Sequence, residues 1–327
     1  SNTALGLPER DIAGVSRPQG TGYDMGAYEG AADPCDVTVT TDPAGLDVGI
    51  DGEVETGPHV FTSAAGSAID LAAPTPQPSG DYVYIFSGWS DGGSADHTAT
   101  LTGSDTTFTA SYTQLTAYAL IDSIVDVPTD QGGWARIHFS RSYYDDTGET
   151  EYPVLRYDMH RRIDDPGLAA KVLQSGEVMT EQRAVQLPDG SEALITPDGE
   201  SGARYISFAD RYFLSADKAE ENRDVLLAPP GLWEIIGNVS ATQQTQYIYL
   251  APTLADSAAT MTYTAFYISA HTTTPSVFFE SPPDSGYSVD NIAPGVPLGL
   301  AVAYNTGGGN ELTWDSSTEV DFQYYRI

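Results

Sequence analysis

The sequence predicts an all-β fold: tandem small β domains and a larger sandwich carrying a mixed insertion. Three observations lead there. The 327 residues include 32 Gly and 21 Pro, so few stretches can run as a long helix. Tyr outnumbers Phe by 20 to 10, which suits half-buried pleated surfaces. Apolar residues recur every second position in short runs separated by Asp-Gly, Gly-Gly and Pro turns, the pattern of strands joined by hairpins.

Residues 1–33 cannot bury enough surface to fold alone. The stretch RPQGTGYDMGAYEG, Arg17 to Gly30, reads as a terminal strand docked on a larger body, and Ala31 to Cys35 as a linker. Residues 34–115 read as a first β domain. Val37–Thr40 is a β-branched run, residues 42–45 (DPAG) make a turn, Leu46–Ile50 alternates, and Asp51-Gly52 signals a hairpin. Further strands are expected at Ala68–Ala72, Tyr82–Trp89, Thr98–Thr102 and Thr106–Tyr112. Phe86 and Trp89 carry large apolar area on either side of Gly88, which permits a bend between them.

Residues 116–290 read as an antiparallel sandwich. Its strands are expected at Ile121–Val127, Trp134–Phe139, Val154–Ile163, Trp233–Val239, Gln246–Leu250 and Met261–Ala270. In Val154–Ile163, alternation puts Leu155, Tyr157, Met159 and Arg161 on one face. Residues 164–230 form an insertion that reads as a small embedded subdomain over one end of the sandwich. It opens with a helix capped by Asp165, with Pro166 in the first turn and Gly176 at its end. Ser215–Arg223 is a second helical candidate, and Asp-Gly turns mark hairpins between them. Residues 291–327 contribute strands at Gly299–Tyr304, Glu311–Trp314 and Phe322–Ile327.

Three resemblances accompany this reading. Asp11 to Gly14, Arg17-Pro18 and Gly22 to Glu29 resemble the closing segment of bacterial right-handed parallel β-helices, which implies a solenoid upstream. Phe86-Ser87-Gly88-Trp89-Ser90-Asp91-Gly92-Gly93 and Thr107 to Tyr112 resemble the internalin-B-type repeat of bacterial surface proteins, where those positions are structural. Residues 116–290 resemble a divergent fibronectin type III domain. In 291–327, Pro294, Leu300, Trp314, Tyr324 and Ile327 resemble the first half of another, with further strands implied downstream. Together they imply a fragment of a large exported, multidomain bacterial protein.

The charge excludes some functions. There are 46 acidic and 14 basic residues, for a net charge of -32, and Lys171 and Lys218 are the only lysines. Such a surface repels nucleic-acid phosphates and anionic membranes. No apolar run is long enough for a transmembrane helix. Cys35 is the single cysteine, so no internal disulfide forms.

No catalytic constellation stands out. There is no G-x-S-x-G elbow and no H-E-x-x-H spacing. His59, His97, His138, His160 and His271 are scattered, and His138 and His160 read as packing or rim residues of strands. Acid pairs such as Asp145-Asp146 and Asp164-Asp165 follow from composition. No catalytic or cofactor-binding residue is assigned, and the metal question stays open. Calcium is the one candidate ion, with Asp284-Ser285-Gly286, Asp315-Ser316-Ser317, Asp11 and Asp24 able to donate oxygens, although all read first as solvated turns. Trp89, Trp134 and Trp233 are candidate sugar-stacking platforms, and Trp89 reads first as core. The functional expectation is a non-catalytic structural or adhesive spacer of a secreted or cell-surface protein, with a protein or glycan partner. The alternative is an ancillary, substrate-positioning or carbohydrate-binding region of a polysaccharide-acting β-helix enzyme.

Overall fold

A computed structural model of the chain describes residues 10, 12–16, 34–146, 148, 151–197, 203–216, 229–257, 261–292 and 295–317. The β-helix-like segment 17–30 lies outside them, as do Asp11 and most of the second helical candidate. The described residues are all-β apart from one helix, and they divide into two units, Ser1–Ala117 and Tyr118–Ile327.

The first unit is a two-sheet sandwich. Its strands are β1 (Pro34–Asp42), β2 (Asp47–Ile50), β3 (Glu53–Thr56), β4 (His59–Ala64), β5 (Ala68–Ala72), β6 (Gln77–Ser79), β7 (Tyr82–Trp89), β8 (Asp96–Thr100) and β9 (Thr106–Thr116). One sheet has the order β4-β1-β9-β7-β6, the other β3-β2-β5-β8. The β1–β9 pair is parallel, so the first and last strands of the unit lie side by side at the centre of the larger sheet. Val37 and Val39 from β1, Val48 from β2, Leu71 from β5, Trp89 from β7 and Phe108 from β9 form one core. Alternation alone locates most of these strands. The weakly apolar β3 and β6 are held by pairing with neighbours, a tertiary effect that local pattern does not carry. Cys35 is not a linker residue: it is 3% exposed within β1, and its thiol approaches the Ser63 carbonyl. Asp51 and Gly52 both take positive φ, as the expected hairpin turn requires. Near Gly88 the β7–β9 register shifts, which lets Phe86 and Trp89 both turn toward the core.

The second unit contains β10 (Leu120–Asp126), β11 (Trp134–Ser140), β12 (Val154–Arg162), α1 (Pro166–Ser175), β13 (Glu177–Val178), β14 (Arg183–Gln186), β15 (Glu192–Ile195), β16 (Ala203–Phe208), β17 (Arg211–Ala216), β18 (Gly231–Ser240), β19 (Gln246–Pro252), β20 (Thr264–Thr272), β21 (Phe278–Glu280) and β22 (Asp284–Gly286). A three-stranded sheet, β10-β11-β19, faces an eight-stranded sheet of order β13-β16-β17-β18-β12-β20-β21, with β22 also on β20. Phe139 from β11 and Tyr247 from β19 stack at 5.2 Å and meet Tyr157 of β12 between the sheets. The hydroxyls of Tyr157 and Tyr247 both donate to buried Asp145, at 2.8 and 2.6 Å.

The insertion is not a separate subdomain. β13, β16 and β17 extend the large sheet from β18, so residues first read as a cap are part of the main sheet. Ser215 and Ala216, expected to start a helix, end β17 instead, paired with Leu232 and Gly231. The first helix forms as expected: the Asp165 carboxylate accepts from the Gly167 and Leu168 amides and Pro166 opens the first turn. Its Val172, with Leu168 and Ala169, packs on Ile206, Phe213 and Leu232. The β14–β15 hairpin turns at Asp189-Gly190 and covers the opposite side of the sheet through Val185, Leu187, Ala193 and Ile195 against Ile235.

Both faces of β12 are therefore covered. Tyr157 and Met159 are fully buried against the three-stranded sheet, and Asp158 and His160 are buried on the other side. Leu155 does not join Tyr157 and Met159: a register irregularity between Val154 and Arg156 leaves it 51% exposed. Beyond this sandwich, β23 (Ala301–Asn305) and β24 (Gly309–Thr313) form a two-stranded sheet of their own. Leu300, Val302 and Tyr304 beside or within it are 66%, 62% and 77% exposed, so the apolar positions expected there have no core among the described residues.

A glycine fastens the hairpin. The Asp189 side chain, from the β14–β15 turn, accepts from the Asn238 amide and the Tyr249 hydroxyl, both at 3.1 Å. It enters a space that a Cβ on Gly237 would fill, since that atom would collide with both Asp189 and the Tyr249 hydroxyl. Gly237→Ala is expected to cost about 1–3 kcal/mol of stability through overpacking. Chemical denaturation together with limited proteolysis should show lower stability and faster cleavage within 183–195, and an unchanged cleavage rate there would contradict the latch.

Candidate functional site

Most of the residues singled out above have structural work. Trp89 is 5% exposed and gives its indole N–H to the Ala95 carbonyl at 3.0 Å. Trp233 is 1% exposed and donates to the Pro229 carbonyl at 2.7 Å. Neither can stack on a sugar, and both belong to cores. Trp134 differs, being 44% exposed at the start of β11. Asp145 holds two tyrosines, Asp146 pairs with Arg141, Asp164 pairs with Arg162, and Asp165 caps α1. His59 lies beside Glu55, and His97 bonds Asp91 at 2.9 Å. Asp284 and Asp315 are exposed, and no group of three His, Cys, Asp or Glu is arranged to hold a metal among the described residues.

Two of the scattered histidines, however, are brought together. β12 and β20 pair so that Arg156 faces His271, Asp158 faces Ser269 and His160 faces Tyr267. These six side chains share the sheet face that the β14–β15 hairpin covers. A cavity of about 110 Å³ lies there, lined by Arg156, Asp158, His160, His271, Tyr205 and Phe278 among others.

The polar groups form a chain. Arg156 gives Nε to Asp158 Oδ1 at 2.8 Å and Nη2 to Oδ2 at 3.2 Å, and also reaches the Leu194 carbonyl of the hairpin at 3.0 Å. His271 Nε2 sits 3.2 Å from Asp158 Oδ2 and 3.0 Å from Ser269 Oγ. Ser269 Oγ lies 2.9 Å from His160 Nε2. His160 stacks on Tyr267 with ring centroids 4.2 Å apart. Burial dominates the electrostatics. It lowers the His160 pKa to about 3, against the favourable pull of Asp158, and lowers that of His271. Glu280, opposite Ser269 on β21, is pushed up to about 8 by burial. Tyr267 is raised by burial and by the nearby Glu280.

Ser, His and Asp in a row are not a nucleophilic triad here. A relay needs the two nitrogens of one imidazole to face the serine and the acid separately. His271 presents Nε2 to both. Ser269 is moreover 2% exposed within a strand.

The sequence hid this convergence because Arg156, Asp158 and His160 alternate with Tyr157 and Met159, the ordinary pattern of a solvent face. The signal lay elsewhere. Residues 264–270 (TAFYISA) and 231–239 (GLWEIIGNV) barely alternate, which marks neighbouring strands covered on both faces. No family model, curated protein or solved structure matches the chain.

The shifted groups set opposite pH dependences. Glu280 is protonated in the fold up to about pH 8 but only to 4.5 when unfolded, so its contribution is full below 4.5 and lost as pH rises to about 8. His160 has a folded value of about 3 against 6.5, so its contribution is full above 6.5 and lost as pH falls toward 3. Glu280→Gln is therefore expected to gain stability relative to the parent as pH rises through this window, while His160→Phe declines less steeply than the parent on the acid side, where His271 still contributes. Melting temperatures of parent and variants across pH check both, and parallel pH curves would contradict the assignment.

Proposed function

We propose that the chain is a non-catalytic structural and adhesive region of a secreted or cell-surface protein, built from β modules in series. The observation that carries this reading is the division into two units, each closed around its own β core, with an apolar face left open on the second. On the outer face of β10-β11-β19, Val125, Trp134, Ile248 and Leu250 are 43%, 44%, 60% and 49% exposed. Register places them together: Val125 opposite Arg136 and Arg136 opposite Leu250, with His138 opposite Ile248 and Trp134 opposite Pro252. Apolar and aromatic residues grouped this way suit contact with a protein or glycan.

The strand order supports a module of fibronectin type III type. β10-β11-β19 against β18-β12-β20-β21 is a three-plus-four Greek-key arrangement, with the insertion placed between β12 and β18. The sandwich of residues 34–117 is compatible with the internalin-B-type resemblance, since its shared motif residues Phe86 and Trp89 serve the core. A spacer must also withstand extension. Force spectroscopy of the chain should show two separate unfolding events, one per unit; a single cooperative event would contradict the modular reading.

Trp134 also favours a second reading, in which the chain positions polysaccharide for an enzyme domain elsewhere in the protein. Affinity electrophoresis through polysaccharide gels separates the two. Retardation that falls about tenfold in apparent affinity with Trp134→Ala supports the ancillary role. Unretarded migration in every gel, with Trp134→Ala weakening adhesion to a protein-coated surface, supports the spacer.

A further inference from the structure

The outward face of β10-β11-β19 is nearly neutral, although the chain carries a net charge of -32. Ala135, Ile137 and Phe139 of β11 are fully buried, so the alternate residues of that strand point out. Pairing then sets the outward rows. The row through Arg136 holds Val125 and Leu250, and the row through His138 holds Ser123 and Ile248. β19 has no charged residue. Apart from His138, the face carries one acid and one base, and they stand toward opposite ends. Asp122 is exposed beside Ser140, whose hydroxyl donates to it at 2.9 Å. Arg136, also exposed, lies four residues before Ser140 on β11, about 14 Å away at strand spacing. Arg141, Arg156, Arg161, Arg162 and Arg211 pair with acids, whereas Arg136 has no such pair among the described residues.

A face of this kind complements itself. If a second copy is turned over about an axis that crosses the strands at His138, Arg136 of each copy comes over Ser140 and Asp122 of the other. The rows of aliphatic residues then meet near the axis. The other axis, along the strands, would set Arg136 against Arg136, and like charge opposes it. Two copies of so acidic a chain repel over most of their surface, which confines contact to a place where the net charge vanishes. Val125, Ile248 and Leu250 offer no ring for a sugar to stack on, which favours a protein surface over a glycan. We propose that the outward face of β10-β11-β19 binds a second copy of this chain, face to face about a two-fold axis, with reciprocal Arg136–Asp122 pairs. This rests on the adhesive reading of the same face. The footprint of three short strands is about 14 by 24 Å, well under the ~800 Å² per partner of a standard interface, so each contact is weak and acts through many copies side by side.

The test is sedimentation equilibrium of the full chain at concentrations up to about 1 mM, in about 0.05 to 0.5 M sodium chloride. The parent should form a weak dimer that tightens as salt screens the general repulsion. Arg136→Asp and Asp122→Arg each place like charges at both reciprocal contacts, and each alone should weaken self-association at least tenfold. Mixed together, the two variants set acid against base at both contacts and should form a heterodimer near the parent's affinity. Dimers indifferent to both substitutions, or a mixture that stays monomeric while each variant keeps the parent's melting temperature, overturn the proposal. A parent that is monomeric throughout, while Trp134→Ala still weakens adhesion to a protein-coated surface, overturns the second-copy assignment and leaves the adhesive reading standing. A monomeric parent whose adhesion ignores Trp134→Ala removes both.

Discussion

The second unit depends on a strand covered from both sides. β12 lies at the centre of the large sheet, hydrogen-bonded to β18 on one edge and β20 on the other. Below it, Tyr157 and Met159 meet the three-stranded sheet; above it, Asp158 and His160 meet the inserted hairpin. An antiparallel sheet usually leaves one face to water, and its strands then alternate cleanly. Here the polar half of the alternation has been enclosed. Every charged or polar group on that half then needs a partner, because water cannot supply one. The Arg156–Asp158–His271–Ser269–His160 chain is the consequence.

Enclosure also explains the ion triad at the junction between insertion and sandwich. Glu234 of β18 is 2% exposed and receives hydrogen bonds from Arg161 of β12 and Arg211 of β17. Arg161 also donates to the Pro252 carbonyl of β19 at 2.9 Å. These contacts join strands from both sheets and from the insertion. Removing one member would strand a buried charge, a larger penalty than the net worth of the pair. The two guanidinium groups hold the Glu234 pKa low even though burial alone would raise it. Few basic residues occur in this chain, and two of them, Arg161 and Arg211, are committed to this one buried acid.

The insertion works at three places with two kinds of force. α1 covers the extended sheet where the three-stranded sheet does not reach, by apolar burial through Val172. The β14–β15 hairpin covers the opposite face, also by apolar burial, through Val185, Leu187 and Ile195. Asp189 then sets the hairpin's position by hydrogen bonds at Gly237, beside the irregularity in the β12–β18 pairing. Burial supplies the bulk of the attraction without direction, and the directed contacts fix the register. A cavity of about 110 Å³ remains beside the hairpin, lined by Tyr205, Phe278 and members of the polar chain.

Sequence alone determined the all-β class, most strand positions, the Asp165-capped helix and the core roles open to Trp89 and Phe86. These follow from local rules: alternation, turn chemistry and capping act over a few residues and leave their mark there. It did not reveal that Ser215 belongs to a strand, that Cys35 is core, that Leu155 faces out, or that His160 and His271 meet. Those depend on which strands pair and in what register, and His160 and His271 stand 111 residues apart in the chain. Trp134 and Trp233 look alike in sequence; Trp233 is core because Leu214, Ala265 and Tyr267 of β17 and β20 pack around it, whereas Trp134 at the start of β11 stays 44% exposed. Tertiary structure decided these points because burial is a property of the neighbours a side chain receives, and pairing across an insertion assigns neighbours that no short window of sequence contains.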